Sequence, residues 1–206
     1  MKQIIPFLVL LLCCSEVWSQ TTLDSIQKLD EVVLSDVKLK QLAKGYKITI
    51  LGDSILKTNR TSLTDLLRFN SNIYFKENGY GMVSSPSFRG TNASQTAVIW
   101  NGININSQLN GQVDFNTISS SNYDNISIRS GGGSVQYGSG AIGGTVHLSN
   151  DLDFEAHFNN RVRVAIGSFG TQNVNYKGDF GNKKWSSSFG AAYVNTENDY
   201  RILGTN

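Results

Sequence analysis

The chain has only two cysteines, Cys13 and Cys14, and both fall within its first twenty residues. If that segment leaves as a secretory signal, the mature chain has no thiol. Disulfides, zinc thiolates and a cysteine nucleophile are then excluded. Charge is also scarce. Charged residues make up 17% of the chain, and the formal net charge is only +2. Lys and Arg are not clustered as phosphate neutralisation requires, so no nucleic-acid partner is expected. The apolar run Ile4 to Cys14 has eleven residues, too few to span a bilayer. The two histidines, His147 and His157, lack metal-ligand spacing, so no metal site is expected. They read as structural or solvated. No acid/base pair or nucleophile constellation stands out, and neither an enzyme nor a bound cofactor is expected.

What is present is glycine, 20 residues of it, with frequent Asn, Ser and Thr. That is the palette of turns and strands. A soluble chain of 206 residues would hold one or two domains. Lys2, the short apolar run and Val17-Trp18-Ser19 before Gln20 read as a signal peptide over residues 1–19, with a short membrane anchor as the alternative. Residues 20–45 read as a flexible arm. Within it, Leu29-Asp30-Glu31-Val32-Val33-Leu34-Ser35 is β-prone at Val32 to Leu34, and nothing flanking it suggests a paired strand of its own. It could add to another protein's sheet edge or be the first strand of the domain.

Residues 46–150 read as an α+β unit with a small sheet and one or two helices. Tyr46 to Leu51 alternates as a strand. Ser62-Leu63-Thr64-Asp65 has the capping-box pattern and opens a short helix carrying Leu66 and Leu67. Ile73 to Phe75 reads as a strand, and residues 76–87 as a Gly/Ser loop. Ala97 to Trp100 is an apolar strand, with Trp100 expected in the core. Asn101-Gly102 is a two-residue hairpin signal, and Ile103 and Ile105 continue the alternation. Asn125 to Arg129 and Thr145 to Ser149 complete the strands.

Past Asn150 the pattern changes. Val162, Val164 and Ile166 alternate with Arg161, Arg163 and Ala165. Val174, Tyr176, Gly178 and Phe180 oppose Asn175, Lys177 and Asp179. Gly181 to Lys184 makes a tight turn, and Trp185, Ser187, Phe189, Ala191 and Tyr193 share one face. Strands of roughly ten residues, apolar on one side and polar on the other, fit an outer-membrane barrel, or else the edge of a sandwich.

The run GGGSVQYGSGAIGGTVHLS, residues 131–149, contains G-x-G-x-x-G at Gly138, Gly140 and Gly143. A dinucleotide loop must open a helix, whereas here the glycines lead into the β-prone Gly144 to Leu148. No Gly-Lys-Ser/Thr follows either, so a phosphate loop is also out. A steric role fits better: glycine allows close backbone approach and positive φ. Tyr137 would be the large side chain anchoring such a loop.

The stretch from Ser62 to Ser149 resembles the plug domain of TonB-dependent outer-membrane receptors. The resemblance is carried by residues 62–67, Phe88-Arg89-Gly90, residues 97–102, and above all residues 134–144 with Tyr-Gly-Ser-Gly-Ala-Ile-Gly-Gly. Residues 29–35 sit where that family carries its TonB box. The resemblance implies a plug over 46–150 inside a barrel of about 22 strands. Residues 151–206 would be its first strands, leaving the chain truncated. It also implies an outer-membrane location with a periplasmic arm, a TonB-type inner-membrane partner, contact with membrane lipid, and energy-coupled import of a small-molecule nutrient such as an iron chelate or cobalamin. Only about nine residues separate the box from the signal cut, so no signalling domain is expected there. Arg89, Gly90, Tyr137, Gly138, Gly140, Gly143 and Gly144 would pack plug against barrel. Outward plug loops would offer Tyr80, Asn104, Asn106, Gln108 and Asn110 to the ligand, unless these are solvated turn residues. One departure stands out. Where the family shows Ile-Glu-Val-x-Arg-Gly, this chain has Ile126-Ser127-Ile128-Arg129-Ser130-Gly131. Both charged members of the plug–barrel lock are serine. A non-transporting surface or adhesion barrel is the competing function.

Overall fold

The computed structural model describes residues 46–58 and 62–199. Its first part is a mixed five-stranded sheet with short helices. The strands are β1 (Lys47–Leu51), β4 (Thr96–Trp100), β5 (Ile103–Asn104), β6 (Asn125–Ser130) and β7 (Gly144–Ser149), in the order β1-β6-β7-β4-β5. Only the β4–β7 pair is parallel. The helices are α1 (Asp53–Thr58), α2 (Leu63–Asn70) and α3 (Ser134–Tyr137). A separate hairpin pairs β2 (Ile73–Glu77) with β3 (Ser84–Phe88).

Strand alternation sorts side chains to two covered faces. Val98, Ile126, Ile128, Val146 and Leu148 face one way, onto Leu63, Leu66 and Leu67 of α2 and Phe75, Phe88 and Phe115. That is the main core. Ala97 and Ile99 face the other way, against Ala141 and Tyr137 of the glycine-rich loop. This loop is the roof of the second face, which is why β4 is apolar on both sides.

Helix α2 starts where the cap pattern predicts. Ser62 Oγ accepts from the Asp65 N–H at 3.3 Å, satisfying one of the unpaired donors of the first turn. Asn101 and Gly102 both have positive φ, 45° and 87°, as the tight β4–β5 hairpin needs.

Three expectations are corrected. Residues 84–88 form strand β3, not loop. Ser84, Pro86 and Phe88 alternate inward and are buried, while Pro86 sits in a two-stranded ribbon, where a missing N–H is tolerated. Trp100 is not core. It is 43% exposed, and its indole N–H donates to Asn150 Oδ1 at 3.0 Å. The strand ends there, and the amphipathic ring finds its polar partner at the surface. Helix α1 is additional. None of its residues is fully buried, and Ile55 and Leu56, which pack against the core, are adjacent residues that make no helical stripe to signal it.

The last part is an antiparallel sheet of β8 (His157–Ile166), β9 (Gln172–Asn182) and β10 (Trp185–Asn195), in the order β10-β9-β8. Lys183-Lys184 joins β9 and β10, as the turn signal predicts. The dyad pattern is real in space. Val162, Val164, Phe189 and Tyr193 are exposed on one face. On the other, Asn175 and Lys177 are buried, at 4% and 3% exposure, against the α+β unit. Among the described residues, no helix is long and apolar enough to cross a membrane.

Candidate functional site

The glycine-rich loop closes with backbone bonds that leave no open phosphate cradle. Gly131 N donates to Gly143 O at 3.0 Å and Gly133 N to Ala141 O at 2.6 Å. Gly138 has φ +87°, so its backbone needs glycine although the space beside it is open. Gly140 passes Ser94 O, which a Cβ would approach to 3.3 Å. At Gly143 a Cβ would collide with the Thr91 side chain. At Gly144 it would lie 2.8 Å from Arg129 O and 2.9 Å from the Phe88 ring. These close approaches are to the α+β unit itself. The Arg89-Gly90 pair is a turn. Both residues have positive φ, 49° and 86°, and Thr91 N donates to Phe88 O across them at 3.0 Å. The Arg89 side chain remains on the exposed surface.

Under the loop lies a polar cluster. Tyr137 meets His147 edge-on, with centroids 4.9 Å apart, and His147 Nε2 lies 2.7 Å from Thr145 Oγ1. Burial, helped by the Arg129 charge, pushes His147 down to about 4. Burial also raises the Tyr137 phenol, which the Arg129 charge partly opposes. Arg129 is 5% exposed and stacks over the Tyr46 ring at 4.3 Å. Its partners are Gln136 Oε1 and Gly132 O, at 3.3 and 3.4 Å. Arg129 therefore turns into the α+β unit beside the start of β1. Among the described residues no carboxylate pairs with it.

His147 sets a pH dependence. Its neutral form is the buried one, and the unfolded chain takes a proton near pH 6.5. Stability is full above that pH and falls as pH drops towards 4, by about 3 kcal/mol in all. Melting temperature followed against pH should show this slope, and His147→Phe should flatten it.

Asn104 and Gln108 line an open cleft of about 570 Å³ together with Gly138, Ser139 and Gly140. Residues expected for ligand and for packing thus meet in one place. Asn106 also borders the cleft, but its amide organises the loop. Its Nδ2 donates to Thr96 O and Gly111 O at 2.9 and 2.8 Å, and its Oδ1 accepts from Val98 N at 2.8 Å. Both donors are committed to backbone carbonyls, so in this structure the Asn106 amide holds the loop. Tyr80 and Asn110 do not border the cleft. Asn110 Oδ1 accepts from Gln112 N at 3.2 Å within its own turn. Tyr80 sits at the tip of the β2–β3 hairpin, where its carbonyl accepts from Asn198 Nδ2 at 3.0 Å. Burial and then the Asp65 and Glu77 charges raise its phenol, so it remains a neutral donor.

The contact surface between the α+β unit and the three-stranded sheet was not predicted. Residues 119–124 dock on β8 and β9 through polar groups. Ser119 Oγ donates to Asn175 Oδ1 at 2.7 Å, and Arg163 Nη1 donates to Ser121 Oγ at 2.8 Å. The Lys177 ammonium pairs with Asp124. Gly190 makes room for Asn122, which a Cβ there would meet at 2.7 Å. The only signal in the sequence was the polar stripe Asn175, Lys177, Asp179. Residues 29–35 lie outside the described residues, as does the signal segment.

Comparison with known proteins agrees with this geometry. Residues 43–145 match the TonB-dependent Receptor Plug Domain family. The vitamin B12 transporter BtuB of Vibrio cholerae is 34% identical over 100 residues, covering 48% of this chain and 16% of that protein. The BtuB of Vibrio vulnificus is 28% identical over 127 residues, covering 60% and 21%. The match therefore spans 16% and 21% of the length of these relatives. Among solved structures, the copper transporter OprC aligns with a TM-score of 0.59 at 19% identity, over 73% of this chain and 24% of its own. The siderophore receptor PirA from Acinetobacter baumannii aligns with a TM-score of 0.57 at 19% identity, over 78% and 26%. These likenesses concern the fold: an α+β plug followed by antiparallel strands. With half its length matched, this chain belongs to the TonB-dependent receptor plug domain family.

Proposed function

We propose that this chain is the N-terminal part of an outer-membrane importer driven from the inner membrane. Residues 1–19 direct secretion, and 20–45 form a periplasmic arm. Residues 46–150 plug the pore, and 151–206 begin its wall. Leu29 to Ser35 engages a TonB-type inner-membrane protein by strand addition. One observation carries the reading. The three-stranded sheet buries polar Asn175 and Lys177 against the plug and bares Val162, Val164, Phe189 and Tyr193 on its other side. A wall with its polar side towards a plug and its apolar side towards lipid accounts for both.

The cargo is a scarce small nutrient. Cobalamin is favoured, since curated relatives that this chain matches are named vitamin B12 transporters. An iron chelate is the alternative. Gln108 would contribute amide hydrogen bonds from the plug side, as would the second Nδ2 hydrogen of Asn104, whose first goes to Tyr137 O. Uptake of labelled cobalamin and of ferric chelates by a deletion strain, with and without the complete gene, tests this. Gene-dependent uptake of one of them is expected, and it should stop when a protonophore collapses the inner-membrane gradient. Accumulation that survives the protonophore would refute energised import.

A further inference from the structure

The plug–wall contacts of residues 119–124 include polar groups and centre on one charge pair. Lys177 of β9 is 3% exposed and meets Asp124 of the plug. The other Asp124 oxygen accepts from Asp151 N at 3.1 Å, so this carboxylate ties plug, connecting segment and wall together. Lys177 has a second carboxylate near it. Asp179, two residues along the same face of β9, lies 3.7 Å from its ammonium and accepts from Ser188 Oγ at 2.6 Å. Asp124 leaves with the plug, whereas Asp179 remains with the wall.

We propose that Lys177 is a plug latch: its ammonium holds Asp124 when the plug is seated and passes to Asp179 as the plug moves away. The cation sits on the wall and the carboxylate on the plug. Ser127 and Ser130 give the plug no charge of its own on that stretch of β6, and Arg129 is turned inward onto Tyr46. A buried ion pair is a poor way to gain stability but a strict way to fix position, because it tolerates little displacement. Opening it has low cost here. Water can reach Asp124, which is already 32% exposed, and Asp179 keeps the lysine paired. An apolar contact of the same area would resist opening, since all of it would be exposed to water. Lys177 and Asp179 are thus positioning residues.

The latch rests on residues 157–195 being the start of a wall around the plug. Conductance of the complete protein in planar lipid bilayers, followed in KCl as urea rises, tests both together. A plug-deleted variant should conduct without urea. If it does not, the wall reading falls and the latch with it. Asp124→Asn should lower the urea midpoint of channel opening by about 1 M or more. Asp179→Asn should raise it, because the ammonium loses its fallback. Adding Lys177→Met to Asp124→Asn should lower the midpoint little further, since the plug–wall pair is already gone. The opposite signs of the two carboxylate variants separate a latch from ordinary packing, in which both would loosen the plug. A plug-deleted channel that conducts, beside an Asp124→Asn midpoint equal to wild type or an Asp179→Asn midpoint below it, would overturn the latch.

Discussion

Replacing Val33 with Pro is expected to reduce nutrient uptake to the level of a strain without the inner-membrane energy transducer, while ligand binding at the cell surface stays within about twofold of wild type. The physical basis is local. A segment that adds to another protein's sheet contributes main-chain hydrogen bonds, each worth about 0.5–1.5 kcal/mol net. Proline removes one donor, and its ring obstructs the ladder beside it. Three apolar residues, Val32 to Leu34, cannot compensate for that in a segment so short. Residues 29–35 precede the first strand, so the plug core, from Leu51 to Leu148, is untouched. Binding and uptake should therefore separate. A control of Val33→Ile, which keeps the donor and the β-branched shape, should transport normally. Equal uptake by Val33→Pro and wild type would show that this segment transmits no force.

Gly144→Val should have the second-largest effect, a loss of about 3 kcal/mol or more of plug stability, read as a lower melting temperature and early trypsin cleavage. The first residue of β7 is wedged between two fixed neighbours. A Cβ would stand 2.8 Å from the Arg129 carbonyl and 2.9 Å from the Phe88 ring. The carbonyl belongs to the partner strand in register, where Ser130 faces Gly144, so it cannot retreat without breaking the ladder. Phe88 is in the main core at 4% exposure. Gly138→Ala is the informative contrast. Open space surrounds Gly138, but its φ of +87° penalises any side chain, for about 1–2 kcal/mol. The same run of glycines thus contains both steric requirements, as at Gly143 and Gly144, and a conformational one, as at Gly138. Similar melting temperatures for the two variants would contradict that division.

The parts of this fold written locally were legible in the sequence. Asn101-Gly102 dictates its hairpin because few other residues tolerate φ of 45° and 87° in succession. Ser62 and Asp65 mark a helix start because one accepts the other's N–H. The alternation after residue 157 is equally local. What was hidden depended on neighbours. Ser84 to Phe88 looks like a loop because serine and proline dominate it, and only the burial of alternate residues by the core makes it a strand. Trp100 looks like core because its indole is large, yet Asn150, fifty residues away, holds it at the surface. Asn106 looked free to bind because its three backbone partners are fixed only by folding. Lys177 and Asp124 lie 53 residues apart, and no periodicity links them. Arg129 was visible as a departure from the family pattern, but its destination over Tyr46 was not.

Strand β8 forms one border of its three-strand sheet, with β9 on its inner side. A ten-residue border strand with Phe158, Val162 and Val164 exposed is a template for an extended peptide. A strand laid along this border would take up its main-chain groups and cover the apolar side chains beside them, so pairing there would protect the sheet from self-association.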